Sequence, residues 1–326
     1  MTKRFLSIIA CVGGLVVVYF FIQSYQQHAS TSKETTSSIL NTNGVLHTVA
    51  LEDILSGGLE KDDIPPLNDP HYISIAEANN VYTDFDTGVT LTYGQSERFY
   101  PLRILGWHQI INDTIGSKRI LITYSPLTTS AVVFDPKVQG EDVLFGNTGL
   151  LWDSNLVLYD AKTESEWSQI LSKAIVGAKS GEALEQIPSA VTTYGYWKKA
   201  HAKGEVLNIP EDKTYDYSRD PNQSYYDSET LYFPALHEDT RFSAKTIIIG
   251  ITIHNTAKAY NVKTIKEKGR LTDTINGQSF HIQYTASTDT IRAYIENTNK
   301  QQTDLPLMRA YWFAWIGAYP NSAVYN

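Results

Sequence analysis

Two short segments hold most of the side chains that could do chemistry. They are Leu105-Gly106-Trp107-His108-Gln109-Ile110-Ile111-Asn112-Asp113-Thr114 and Thr123-Tyr124-Ser125-Pro126-Leu127-Thr128-Thr129. A turn at Gly116-Ser117 and one strand separate them, so the two should lie side by side. His108 could act as a general base or a metal ligand with Asp113 orienting it. Its structural reading is a half-buried histidine bonded to a backbone carbonyl beside Trp107. That reading is preferred, because no second histidine stands at ligand spacing. His28, His47, His71, His201, His237, His254 and His281 form no H-x-H or H-E-x-x-H pattern. Ser125 sits in no G-x-S-x-G elbow, and Pro126 behind it implies a rigid turn. The candidate set is Trp107, His108, Asn112, Asp113, Tyr124, Ser125 and Thr128, with no assigned catalytic residue, no metal and no cofactor. The acids of Glu164-x-Glu166 and His237-Glu238-Asp239 read as solvated surface charge. Tyr215, Tyr217, Tyr225, Tyr226 and Tyr232 could stack on sugars or a partner, but tyrosine is also a good strand residue with a polar tip.

The elements that must position these residues are mostly strands. Val89-Thr90-Leu91-Thr92-Tyr93, Arg119 to Tyr124, Ala131 to Phe134, Leu156 to Tyr159 and Thr246 to Ile253 are short β-type runs between turn residues. Glu52 to Leu55 followed by Ser56-Gly57-Gly58 reads as one or two helical turns with a glycine stop, and Asp63 to Pro70 as extended, turn-rich chain. Glu164 to Ala174 places Trp167, Ile170, Leu171 and Ala174 at helical spacing and predicts a helix. Thr193 to Ala202 and Leu307 to Ala318 are further helix candidates.

The two ends of the chain repeat one another. Gly88-Val89-Thr90-Leu91 resembles Gly250-Ile251-Thr252-Ile253, and Arg98-Phe99-Tyr100 meets Lys258-Ala259-Tyr260. At an offset of 160, Asn112-Asp113-Thr114-Ile115-Gly116 meets Thr272-Asp273-Thr274-Ile275-Asn276, Ile122-Thr123-Tyr124 meets Ile282-Gln283-Tyr284, and Phe134 meets Tyr294. The fold class expected is β-dominated α+β, with related halves at about 85–161 and 245–326 and a more helical insert at 162–244. A cleft between such halves is a favoured place for a ligand.

Longer motifs point to a family. Asp53-Ile54-Leu55-Ser56-Gly57-Gly58, Asp63-Ile64-Pro65-Pro66, Tyr100-Pro101-Leu102-Arg103-Ile104-Leu105, Trp107-His108 and Asn112-Asp113 resemble domain-of-unknown-function family 3179. So do Gly149-Leu150-Leu151, Ser154 to Asp160, Thr163 to Gln169 and Tyr311-Trp312-Phe313-Ala314-Trp315, and the resemblance runs from about Asp53 to Tyr325. The family brings no established activity. After the Thr-Tyr strand it usually has a Cys-Pro-Leu-Cys step, a spacing suited to a dithiol or soft metal. Here the step is Ser125-Pro126-Leu127-Thr128, so redox cycling and soft-metal capture by that pair are excluded. Where the family often has Phe-His-Pro, this chain has Ala318-Tyr319-Pro320.

Location is read from the N-terminus. Lys3 and Arg4 precede an uncharged, apolar run from Phe5 to Ile22, eighteen residues long. At about 1.5 Å per residue a helix of that length nearly matches a roughly 30 Å hydrocarbon core, and the leading cations favour an N-in orientation. A cleaved signal would need a small-residue exit, which the Tyr19-Phe20-Phe21-Ile22 end does not offer, and the run continues past Cys11, against a lipoprotein. The expectation is an uncleaved anchor at 1–26, a Ser/Thr-rich linker at 27–50 and a single-pass cell-membrane protein whose domain at 51–326 is extracytoplasmic. Cys11 is the only cysteine, so that domain has no disulfide or thiol site. It is large enough to fold without one. The chain carries a net charge of −8, and −10 without Lys3 and Arg4, with no basic stripe for nucleic acid. The expected partners are the membrane, through the N-terminal helix, and a protein or small molecule of unspecified kind.

Two functions follow. The favoured one is a non-catalytic binding or scaffolding domain that has lost the family's thiol pair. The alternative is an extracytoplasmic enzyme or metal-binding protein with a rebuilt site of His108, Asp113 and the hydroxyls of Ser125 or Thr128. They differ in whether His108, Asp113 and Ser125 converge on one pocket.

Overall fold

Strands dominate the computed structural model, which describes residues 38–211 and 214–325. The β-branched runs form strands because neighbouring chains pair with them and bury one or both faces. A first unit begins with the hairpin of β1 (Thr87–Tyr93) and β2 (Ser96–Pro101). It continues through α1 (Leu102–His108), β3 (Ile110–Ile115), β4 (Lys118–Ser125) and β5 (Ser130–Asp135). After an excursion that contains β6 (Phe145–Trp152) and β7 (Asn155–Asp160), it closes with β8 (Ala190–Thr193), α2 (Tyr194–Ala200) and β9 (Glu205–Leu207).

The same order then recurs as β10 (Ile247–Ile253), β11 (Thr256–Asn261), α3 (Val262–Lys268), β12 (Arg270–Ile275), β13 (Gln278–Thr285) and β14 (Thr290–Glu296). The closing set is β15 (Met308–Tyr311), α4 (Trp312–Ala318) and β16 (Ala323–Val324). Thr87, Leu102, Lys118 and Ser130 open elements whose counterparts open at Ile247, Val262, Gln278 and Thr290, a constant separation of 160. The closing sets are separated by 118. Thr193 pairs with Thr87 as Tyr311 pairs with Ile247, and Glu205 pairs with Arg98 as Ala323 pairs with Lys258.

Several expectations are corrected here. Hairpin register sets Gly88 against Ile248, not Gly250, because Gly88 pairs with Pro101 and Ile248 with Asn261. A slip of two residues preserves the strand face, which is why the match looked sound. The insert expected at 162–244 is divided: an excursion built of strands lies inside the first copy, between β5 and β8, and residues 208–246, with the short helix Gln223–Tyr226, lie between the copies. Glu164 to Ala174 is not a helix: Glu166–Ser168 and Lys173–Val176 are strands, with Ser172 left-handed (φ 54) in the turn between them. Trp167 pairs with Leu158 of β7 and is fully buried, so sheet pairing overrides the helical spacing. Of Leu307 to Ala318 only Trp312–Ala318 is helical, and Leu51–Asp53 is a 3-10 turn running directly into the strand Ile54–Ser56. Residues assigned to the linker also belong to the fold. Leu40–Thr42 and Val45–His47 form a hairpin that joins Lys173–Val176, and Val49 is in the core. The anchor and the linker up to residue 37 lie outside the described residues. Among those described, no helix is long and apolar enough to cross a membrane.

Two sheets set up the site. The nine-stranded sheet runs β16-β11-β10-β15-β5-β4-β3 and on to Leu67–Asn68, with Glu185–Ile187 alongside β5; the five-stranded sheet runs β8-β1-β2-β9 to Tyr72–Ser74. Strand β15 splices the two copies. Its Arg309 pairs with Ile249 of β10 on one side and with Ala131 of β5 on the other. The equivalent contact would join β8 to β14, but those strands belong to separate sheets. Both faces of β4 are buried: Leu121 enters one hydrophobic core, while Ile120, Ile122 and Tyr124 enter another.

Candidate functional site

Helix α1 ends at His108 because Gln109 takes a left-handed conformation (φ 59), its N–H capping Leu105 at 2.7 Å and its carbonyl accepting from Tyr124 at 2.8 Å. That turn leaves His108 buried at the helix end and launches β3. His108 Nδ1 lies 2.9 Å from the Pro65 carbonyl, which can only accept, so this nitrogen carries a proton. Nε2 lies 2.6 Å from the Tyr217 hydroxyl, and the two rings stack 5.7 Å apart. Trp107 packs against Tyr215 and donates to the Arg219 carbonyl at 3.3 Å. The tyrosine-rich segment covers this region: Tyr226 meets the Tyr124 hydroxyl at 2.9 Å, and Tyr225 donates to Leu127 at the same distance. Burial pushes the Tyr124 hydroxyl up to about 12, so it stays protonated.

Strand period separates the neighbouring candidates. Asn112 faces one core, where its amide donates to Asn68 and to the Phe145 carbonyl, both at 2.9 Å, and accepts from Phe145 N–H at 3.0 Å. Asp113 faces the other side. Its carboxylate accepts from Tyr72 (2.5 Å), Tyr100 (2.7 Å), Arg98 (2.6 Å) and the Thr114 N–H (2.7 Å). Burial first, then the Tyr100 hydroxyl and the Asp113 carboxylate, hold the Tyr72 hydroxyl far above the phenol range. Burial and Asp113 do the same for Tyr100. Both phenols are therefore firm donors, and Asp113 is fully occupied.

Ser125 and Thr128 sit in a third environment. Ser125 Oγ accepts from Leu156 N–H at 3.2 Å. Thr128 meets the Ser130 hydroxyl at 2.8 Å and accepts from the Asn155 amide at 2.9 Å. Ser130 donates to Gln169 at 2.6 Å, and Gln169 returns to Thr123 at 3.1 Å and to the Ser130 carbonyl at 3.0 Å. Asn155 in turn accepts from Ile170 N–H at 3.0 Å. Every member of this network is buried. His108, Asp113 and Ser125 thus have separate sets of partners and do not converge. Among the described residues, no group of three or more His, Cys, Asp or Glu could hold a metal ion.

Sequence reasoning passed over three residues. Thr129, after the 125–128 step, is left-handed (φ 49), which costs a β-branched residue about 1–3 kcal/mol. Its hydroxyl and carbonyl hold Arg309 Nη1 at 2.7 and 3.2 Å. Asp153, in the β6–β7 turn, is buried with Oδ1 on the Leu236 N–H at 2.8 Å and Oδ2 without a hydrogen-bond partner among the described residues. Gly317 packs so closely against this carboxylate that a Cβ there would overlap it. Burial pushes Asp153 up to about 7 against the pull of the Leu236 N–H, and Asp53 adds to the rise. None of the three had a signal readable in sequence alone; Arg309 sits where the other copy has Val191, a correspondence that needs the strand pairing.

A cleft of about 260 Å³ lies where the two copies meet. Equivalent positions line it from both sides: Thr87 with Ile247, Ala131 with Ile291, and Val191 with Arg309. It exists because β8 and β14 stay unpaired where β5 and β15 are joined; Thr192 reaches the Thr288 carbonyl by its side chain instead, at 2.5 Å.

No curated protein matches this chain. The sequence pattern of the family described as Protein of unknown function (DUF3179) matches residues 61–306, stopping short of the Asp53 to Gly58 and Tyr311 to Trp315 motifs at the two ends. That span covers α1, β3, the 125–128 step and most of both copies, so the chain belongs to the DUF3179 family.

Proposed function

We propose that this protein is a non-catalytic binding domain, built from two copies of one β-rich unit and held at the outer face of a membrane by its N-terminal segment. The observation that carries this reading is the closed network around Thr128. At the step where the resemblance implies a thiol pair, the two oxygen side chains are spent on Leu156, Ser130 and Asn155. A nucleophile or ligand needs a reachable lone pair and a neighbouring base, and buried groups in a satisfied network supply neither. Asp113 is likewise committed to three side-chain donors and His108 to Pro65 and Tyr217. The matching element order of the two units supports duplication. Membrane attachment is supported by Lys3-Arg4 and the apolar run behind them.

The test is metal analysis of the full chain, purified in detergent without chelator, beside a His108→Ala variant. Absence of stoichiometric metal in the wild type is the expected result. A stoichiometric metal lost on removing His108 would overturn the reading in favour of a rebuilt site.

A further inference from the structure

Among the described residues, Arg309 is a cation without a matching anion. It is half-buried in β15, the strand that splices the two copies, and it lines the cleft between them. Its hydrogen bonds go to neutral oxygens of Thr129, and among the described residues no carboxylate pairs with it. Burial pushes the guanidinium down from its ordinary value, and the groups beside it are the phenols of Tyr124, Tyr311 and Tyr226. The other charges on the cleft cancel, since Lys266 and Asp289 form an ion pair at 2.5 Å. Taking a guanidinium out of water without a counter-ion is unfavourable. The equivalent position in the first copy carries Val191, so a cation there is not part of the repeated pattern.

The remainder of the cleft is of opposite character. Ile247, Ile249, Ile291 and Leu307 give it an apolar wall, and Thr87 and Thr193 add hydroxyls. A volume of about 260 Å³ stands just below the roughly 300–1,000 Å³ usual for ligand pockets, so the occupant is small. Nη1 is the guanidinium nitrogen with hydrogen-bond partners among the described residues, which leaves donors of the planar fork for a carboxylate.

We infer that the cleft between the two copies binds a small carboxylate with a short apolar body, its carboxylate on Arg309 and its hydrocarbon against Ile247 and Ile291. This rests on the reading of the chain as a binding domain and gives that domain its ligand class. Arg309 gives the site a polar end: the second copy presents a cation where the first has Val191, and sets Ile247 and Ile291 against Thr87 and Ala131.

The test is calorimetric titration of the full chain in detergent with 4-methylpentanoate, 4-methylpentanol and inorganic phosphate. Saturable binding of the carboxylate is expected, with the alcohol and phosphate at least about tenfold weaker, the discrimination of a charge-assisted pair. Arg309→Met should weaken the carboxylate by about tenfold or more, and Arg309→Lys by less. Ile291→Trp fills the cleft from the other copy, leaves Arg309 in place, and should abolish binding even if Arg309→Met fails to fold. Absence of binding, binding that survives Ile291→Trp, or equal binding of alcohol or phosphate would overturn the site while leaving the non-catalytic reading intact. Recovery of a chemically altered probe would overturn the non-catalytic reading and leave the site.

Discussion

Asp113 and Asp273 occupy the same place in the two copies and make the same three kinds of bond. Each accepts a phenol, Tyr100 at 2.7 Å or Tyr260 at 2.8 Å. Each meets a cation from the same strand position, Arg98 at 2.6 Å or Lys258 at 2.7 Å. Each also accepts the next N–H, from Thr114 or Thr274, at 2.7 Å. A residue repeated with these three partners is part of how the unit holds its second sheet against its first hairpin, and Asp113 accepts from Tyr72 as well.

The two copies differ in depth, which sets the sizes of their contributions. The Asp113 side chain is 3% exposed and Asp273 15%. Asp113→Ala strands Arg98 and two phenols and should cost about 3–5 kcal/mol in urea unfolding. Asp273→Ala should cost about 1–2 kcal/mol. Equal losses, or an Asp113→Ala protein as stable as wild type, would remove Asp113 from the framework.

Ser125→Ala should lower stability by about 1 kcal/mol, the worth of one hydrogen bond, and leave carboxylate binding unchanged. Asn155→Leu strands the Ile170 N–H and takes a donor from Thr128 and Ser130, and should cost about 3 kcal/mol, one to three for the stranded N–H and the rest for the lost bonds. Denaturant midpoints measure both. A Ser125→Ala protein of full stability that no longer binds would make Ser125 a ligand contact instead.

Asp153 gives a pH dependence of definite sign. Its folded-state pKa, about 7, lies above its ordinary value of 3.8, so the folded chain binds the proton more tightly. Stability is therefore greatest below the ordinary value, falls as pH rises through this window, and levels off above pH 7. The full loss is about 4 kcal/mol as an upper bound. Asp153→Asn keeps the acceptor for Leu236 and should flatten thermal melting between pH 5 and 8. An unchanged slope in the variant would place the titration elsewhere.

Removing residues 1–37 should leave the unfolding midpoint unchanged, whereas removing 1–50 takes away the hairpin that pairs with Val176 and the buried Val49. Losing one buried valine and the covered sheet edge should cost about 2–4 kcal/mol. Identical midpoints for the two truncations would return residues 39–50 to the linker.

Local chemistry was enough to find five of the strands, because β-branched runs such as Arg119 to Tyr124 form strands wherever a neighbour pairs with them. It was also enough for the family and the separation of 160, since these reside in residue identity and order. Tertiary structure decided the rest. Glu164 to Ala174 has helical spacing, and only pairing makes strands of it, Glu166–Ser168 with β7 and Lys173–Val176 with Glu166–Ser168. Asn112 and Asp113 are adjacent in sequence and belong to different cores, because a strand sends successive side chains to opposite faces. The separation of 118 depends on which strand pairs with β1 and which with β10. Without that pairing, Arg309 and Val191 cannot be recognised as equivalent, and a cation that has no carboxylate partner among the described residues is just another basic residue in the chain.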